Sequence, residues 1–180
     1  MHTLNRVLVK IYGKDSFLCL TDEDSREEVI DAARSWAESE TEDYYPRVFD
    51  WRETETAGSW ADEYPENVLL SKENIDRFVA ELEYALEHQI NEAKYHLNII
   101  CKTSSDIKNL FEFAFSANSY QRISPLWNLH QLSELMYGVY NCDSGFYDTH
   151  EYGAKITKAT IDKVKESPND WALVMFDYHY

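Results

Sequence analysis

Apolar and polar positions alternate near both ends of the chain. Between residues 5 and 12 the alternation has the period of two that predicts a β-strand. The side chains that share one face of this strand are Val7, Val9 and Ile11. Residues 13–15 favour a turn and residues 16–20 a second strand, so the two predict a hairpin. Residues 171–180 predict a terminal strand that could pair with that hairpin.

Helical spacing replaces this alternation in several central segments. Ser25 and Glu28 have the spacing of a capping box, which predicts a helix from there to about residue 39. Further helices are predicted near residues 105–115, after Pro125, and over residues 156–164.

The longest periodic pattern predicts one helix over about residues 72–101, which would form the spine of the fold. Its apolar positions recur every three or four residues and fall on a single stripe. The stripe consists of Ile75, Phe78, Val79, Leu82, Leu86, Ile90, Ala93, Leu97 and Ile100. Because Leu86 and Ile90 lie in the middle of the stripe, we expect both to be buried.

The order of these elements predicts an α+β fold. A small antiparallel sheet, made of the N-terminal hairpin plus the C-terminal strand, would pack on several helices. The chain has 180 residues, the size of one domain. A boundary near residue 70 would divide it into an acidic N-terminal lobe, 1–70, and a mainly helical remainder, 71–180.

The charge of the chain restricts its partners. Its 33 acidic residues outnumber 17 Lys and Arg, which gives a formal net charge of −16. A field of this sign repels nucleic acids and anionic membranes and attracts basic surfaces. We therefore expect no direct nucleic-acid binding and no membrane binding. The absence of a signal-like segment and of paired cysteine spacing predicts a cytoplasmic protein.

Motifs for catalysis are missing from the sequence. It has no glycine-rich phosphate loop and no Cys-x-x-Cys pair. His88, Glu92 and His96 have chelating spacing, but helical angles place them on the flank of the stripe, drifting toward the core only at His96. We interpret this row as a solvated helix face. The group Asp148, His150 and Glu151 is interpreted as a turn, so we predict no enzyme, no cofactor and no bound metal.

Acidic residues concentrate in residues 22–66, which we call the acidic segment. It holds 16 acidic residues against four arginines, a formal charge of −12. Large aromatic residues are interleaved with the carboxylates, and these rings serve either as local core or as anchors for a partner. The predicted partner-binding residues are Glu38, Glu40, Glu42, Asp43, Tyr44, Tyr45, Asp50, Trp51, Glu53, Glu55, Trp60, Asp62 and Glu63.

In size, charge and aromatic content the chain resembles counter-defence proteins of phages and mobile elements. These are DNA-mimicking anti-restriction proteins and type II-A anti-CRISPR proteins, and the resemblance is one of character across the acidic segment. It implies an inhibitor that occupies the basic nucleic-acid-binding groove of a host-defence nuclease. The alternatives are an immunity or antitoxin-like protein that neutralises a basic toxin, and an uncharacterised enzyme. The oligomeric state stays open.

Overall fold

The computed structural model describes residues 2–103, Glu112 and residues 124–180, except for the side chains of Tyr45, Pro46 and Thr103. The strands are β1 (His2–Lys10), β2 (Trp51–Glu53), β3 (Val68–Leu70), β4 (Phe146–Asp148) and β5 (Trp171–His179). The helices are α1 (Arg26–Thr41), α2 (Tyr45–Val48), α3 (Ile75–Thr103), α4 (Pro125–Tyr137) and α5 (Lys158–Glu166). The helix predicted near residues 105–115 lies outside the described residues.

Strand β5 lies in the middle of the sheet. It pairs with β1 in antiparallel register along its whole length, from His2 opposite His179 to Lys10 opposite Trp171. Its other edge pairs with β2 and β3, and β4 lies parallel to β1 on the far side. The α+β class is confirmed, and strands from both sides of residue 70 share this one sheet.

Both faces of the sheet are covered by helices. Val7 and Val9 of β1 pack toward α1, together with Val174 of β5. Leu8 points to the opposite face, where Phe78 of α3 packs. The prediction that Val7, Val9 and Ile11 share one face is therefore confirmed. Among the described helices, none combines the length and the apolar character that a membrane crossing requires.

The predicted N-terminal hairpin is wrong. Residues 16–20 form bends instead of a strand, and the Ser16 hydroxyl lies 2.8 Å from the Lys10 carbonyl oxygen while it accepts from the Leu18 N–H at 3.1 Å. Strand β1 already pairs with β5 on one edge and β4 on the other. A local hairpin partner therefore has no free edge to join, and the parallel β4 makes the sheet mixed.

Helix α3 confirms the predicted long helix, but its buried face differs from the predicted stripe. Leu82 and Ala85 are buried, whereas Leu86 is half-buried and Ile90 is 44% exposed, so the expected burial of Ile90 is wrong. Beyond Ala85 the helix packs against α4 and the loop before β4. The buried positions there are polar, and Gln89 donates to the backbone carbonyls of Ser144 in that loop and of Ala154 beyond β4.

Replacing Ser25 by Ala should lower the free energy of unfolding by about 1 kcal/mol. The Ser25 side chain accepts from the Glu28 N–H, and the Glu28 carboxylate accepts from the Ser25 N–H, so the predicted capping box is present. Urea unfolding followed by circular dichroism measures the change. The control is Ser39→Ala, an exposed position in the same helix, which should not destabilise the protein because Ala is the better helix former. An equal loss in both variants would contradict the capping role.

Candidate functional site

Hydrogen bonds through Asn67 link two parts of the acidic segment, helix α1 and the loop between β2 and β3. Arg34 Nε donates to Asn67 Oδ1 at 3.0 Å, and Asn67 Nδ2 donates to the Thr54 carbonyl at 2.9 Å. The Thr54 hydroxyl donates in turn to Glu38 Oε1 at 3.1 Å. These contacts fasten the loop between β2 and β3 to α1, whereas Trp60 of the same loop packs against the opposite face of the sheet.

Most of the predicted partner-binding acids face solvent. The half-buried ones are Glu38, Glu40 and Glu53, and the exposed ones are Glu42, Asp43, Asp50, Glu55, Asp62 and Glu63. Among these nine predicted acids, the ones whose carboxylates make no hydrogen bond or ion pair with the described residues are Glu40, Glu42, Asp43, Glu55, Asp62 and Glu63. Burial raises the pKa of Glu40. The exposed and unpaired carboxylates leave their negative charge available to a partner.

Other acids of this surface have structural partners. Arg26 pairs with both Glu66 and Glu73 at 2.5 Å. Asp50 Oδ1 lies 2.7 Å from His179 Nδ1, and this hydrogen bond lowers the pKa of Asp50. Two further pairs within the segment are Arg34–Asp31 and Arg52–Glu38. Except for Asp31, which pairs within α1, these carboxylates link separate segments of the chain, and all of them are less available to a partner.

The aromatic residues of the acidic segment serve mainly as core. Phe49 and Tyr64 are buried, and Trp36 and Tyr44 are half-buried against the hydrophobic core. The half-buried Trp60 packs against the other core cluster, and Tyr45 has no described side chain. Trp51 is exposed and contacts the His2 ring edge-on, with centroids 5.7 Å apart. It is the described ring of the segment best placed to anchor a partner.

A cleft runs between the start of β1 and helix α3. It contains two cavities of about 510 and 390 Å³, both lined in part by His2, Thr3 and His88. Trp60 and Glu63 line the larger cavity, so these two predicted partner-binding residues lie at the cleft.

Three polar groups of the larger cavity, Arg6, Tyr64 and Glu81, are paired with one another. Glu81 accepts from Arg6 Nε at 2.9 Å, from Arg6 Nη2 at 2.8 Å and from the Tyr64 hydroxyl at 2.8 Å. The guanidinium of Arg6 also lies over the Tyr84 ring, 4.7 Å from its centroid. Burial and the hydrogen bond to Glu81 raise the pKa of Tyr64. This network joins β1 to α3 and serves structure.

The smaller cavity gathers a histidine and two carboxylates. Ligand atoms of Glu92, His96 and Asp143 all lie within 4.8 Å of one another, and His96 Nε2 is 3.2 Å from Asp143 Oδ2. His96 is 3% exposed, so the solvated helix face predicted for this row is wrong at His96. Burial alone would lower the pKa of His96, but hydrogen bonds to Asp143 and Asn128 and the nearby negative charge raise it.

A rigid turn positions Asp143 beside α3. The Asp143 N–H donates to Asn141 Oδ1 at 3.0 Å, and the Ser144 hydroxyl bonds the same oxygen at 3.0 Å. Gln89 Nε2 donates to the Ser144 carbonyl at 2.8 Å, which ties the turn to the helix. The next residue, Gly145, has a φ of 56°, and the His88 ring stands where a side chain on it would go.

Asp148, His150 and Glu151 lie at the turn that directly follows β4. The buried Asp148 carboxylate accepts from the backbone N–H groups of His150 at 2.9 Å and Glu151 at 3.2 Å. Burial raises its pKa, and these two hydrogen bonds oppose the shift. Glu151 pairs with Lys163 of α5 at 2.6 Å. The carboxylates of Asp148 and Glu151 therefore both have structural partners.

Comparisons with known proteins identify no relative. The chain matches no protein-family model, no curated protein and no solved structure.

Proposed function

We propose that this protein binds a basic nucleic-acid-binding protein through the acidic segment and inhibits it by occupying its nucleic-acid groove. A host-defence nuclease is the partner class that we favour. The observation that carries this proposal is the set of exposed carboxylates, among them Glu42, Asp43, Glu55 and Asp62, that make no ion pair within the described residues. They lie in a part of the chain whose formal charge is −12.

Exposed carboxylates can take the place of phosphates in a basic groove. Arg side chains bind both groups through paired hydrogen bonds, and the field of many carboxylates accelerates encounter with a basic surface. Slow release requires a desolvated anchor as well, and aromatic residues commonly provide it. Trp51 fits this role because it is exposed beside Asp50 at the start of β2.

Reversing four charges should slow association with the partner about tenfold or more at low salt. The variant carries Glu42→Lys, Asp43→Lys, Glu55→Lys and Asp62→Lys, four exposed side chains without described partners. The partner is first captured from a host lysate at low salt and eluted by a salt step. Association rates of wild type and variant are then measured at two salt concentrations, and the variant should show the weaker salt dependence.

The matched control applies the same change in charge elsewhere on the surface. It carries Asp76→Lys, Glu87→Lys, Asp162→Lys and Glu166→Lys, all exposed and outside the acidic segment. Its association rate should stay much closer to that of wild type. If both quadruple variants slow association equally, only the net charge matters and the acidic segment is not the binding surface.

Nuclease assays separate inhibition from toxin neutralisation. If the partner is a nuclease, the protein should inhibit cleavage, and added DNA or guide RNA should compete with it. A captured toxin whose binding is insensitive to nucleic acid would favour the immunity alternative and contradict the proposed groove.

Trp51→Ala should speed dissociation about tenfold or more, whereas Tyr137→Ala, which removes an exposed ring outside the segment, should not.

A further inference from the structure

The buried histidine of the smaller cavity has one ring nitrogen fixed as a donor. Asn128 Nδ2 donates to the Ser124 carbonyl at 2.8 Å, so Asn128 Oδ1 is the atom that faces His96. That oxygen lies 2.8 Å from His96 Nδ1 and can only accept, so Nδ1 carries the proton. In a neutral ring, Nε2 is then the unprotonated nitrogen.

The lone pair of Nε2 points at a carboxylate. Asp143 Oδ2 lies 3.2 Å from it, and two acceptors at this distance repel unless a cation lies between them. Either a second proton on His96 or a metal ion bound to both atoms removes the repulsion. Glu92, one turn earlier on α3, adds a further carboxylate within 4.8 Å of these atoms. One proton satisfies only one carboxylate, whereas one metal ion satisfies both.

We propose that Glu92, His96 and Asp143 bind a divalent first-row transition metal ion. In a tetrahedral site with ligand distances of about 2.1 Å, ligand atoms are roughly 3.4 Å apart. The separation of 3.2 Å between His96 and Asp143 fits this geometry, and a small rotation of the half-buried Glu92 side chain completes it. The Nδ1–H bond to Asn128 is the contact that typically orients a metal-binding histidine.

The donor set selects the class of metal. One imidazole and two carboxylates suit Zn²⁺, Fe²⁺ or Mn²⁺ better than Ca²⁺, which prefers oxygen ligands only. Three protein ligands leave a coordination position that faces the cavity of about 390 Å³. A water molecule or an anionic ligand can occupy that position, and His88 and Tyr95 line the space around it.

Calorimetric titration of chelator-treated full-length protein with Zn²⁺ tests the proposal. We expect one Zn²⁺ ion per chain, and a rise in the melting temperature when the ion is added. His96→Gln, Asp143→Asn and Glu92→Gln should each weaken binding by about 100-fold or more. Asn128→Ala should weaken it by about 10–100-fold, because it removes only the orienting hydrogen bond.

The matched control is His130→Gln on α4. His130 and Glu134 have the same i, i+4 spacing, with 3.3 Å between His130 Nε2 and Glu134 Oε1, but His130 is exposed. This variant should bind Zn²⁺ as wild type does.

Glu92 is half-buried, so Glu92→Gln should fold even if the more buried variants do not, and circular dichroism verifies this. Absence of binding by wild type, or binding that survives Glu92→Gln and Asp143→Asn, would overturn the proposal.

Discussion

Replacing Glu81 by Ala should lower the free energy of unfolding by about 3–5 kcal/mol. The side chains of Arg6 and Glu81 are only 7% and 14% exposed, and Glu81 is the acceptor for both the guanidinium and the Tyr64 hydroxyl. Its removal leaves a guanidinium nearly buried without its counter-charge, and such a group is much costlier than a solvated one. Urea unfolding at neutral pH measures the effect.

The chain provides a matched control for this substitution. Glu73→Ala also removes a carboxylate from an arginine, but Arg26 and Glu73 are about two-fifths exposed and Arg26 keeps its contact with Glu66. Water and the second carboxylate replace the lost contact, so the expected loss is below about 1 kcal/mol. Equal losses in the two variants would mean that burial does not determine the strength of the Arg6–Glu81 pair.

Replacing Leu82 by Ala should lower the free energy of unfolding by about 2–5 kcal/mol. Leu82 is fully buried in the core between α3 and the sheet, so truncation leaves a cavity in a region that cannot collapse easily. Urea unfolding measures the loss. An unchanged slope of the free energy of unfolding against urea concentration would show that the folded state keeps its compactness.

Leu97→Ala on the same helix is the control for Leu82→Ala. Leu97 is 50% exposed, so the substitution should cost less than about 1 kcal/mol. Both variants replace the same type of side chain within α3 and differ in its burial. A loss at Leu97 as large as the loss at Leu82 would mean that burial in the core does not determine the cost of truncation.

The sequence predicts those elements whose signals are local. The capping box at Ser25 and the long periodic pattern of α3 depend on neighbouring residues, and both appear in the structure. The alternation near residues 5–12 and 171–180 likewise predicts β1 and β5. The pairing of β1 has no such local signal, because its partners β4 and β5 are distant in sequence. These two strands occupy the edges that a local hairpin would need. Pairing between distant strands leaves no local signal at residues 16–20.

The same distinction applies to the candidate sites. The concentration of acids in residues 22–66 is visible in the sequence, but burial of Phe49 and Tyr64 depends on tertiary packing and removes them as partner anchors. The spacing of Glu92 and His96 is local to α3. Asp143 lies 47 residues beyond His96, and only the bonded turn that follows α4 brings it to the helix. No pattern of spacing predicts that approach.

The central position of β5 has a consequence for synthesis on the ribosome. Strand β1 is translated first, yet its antiparallel partner begins at Trp171, about 160 residues later. At roughly 5–20 residues per second, the ribosome needs on the order of 10–30 s to reach that partner. During that time β1 has no strand partner in the nascent chain. Its apolar side chains are not packed, and the hydrogen-bonding groups of both its edges are unpaired. We expect chaperone capture during that interval, and fast assembly of the whole sheet only after β5 leaves the exit tunnel.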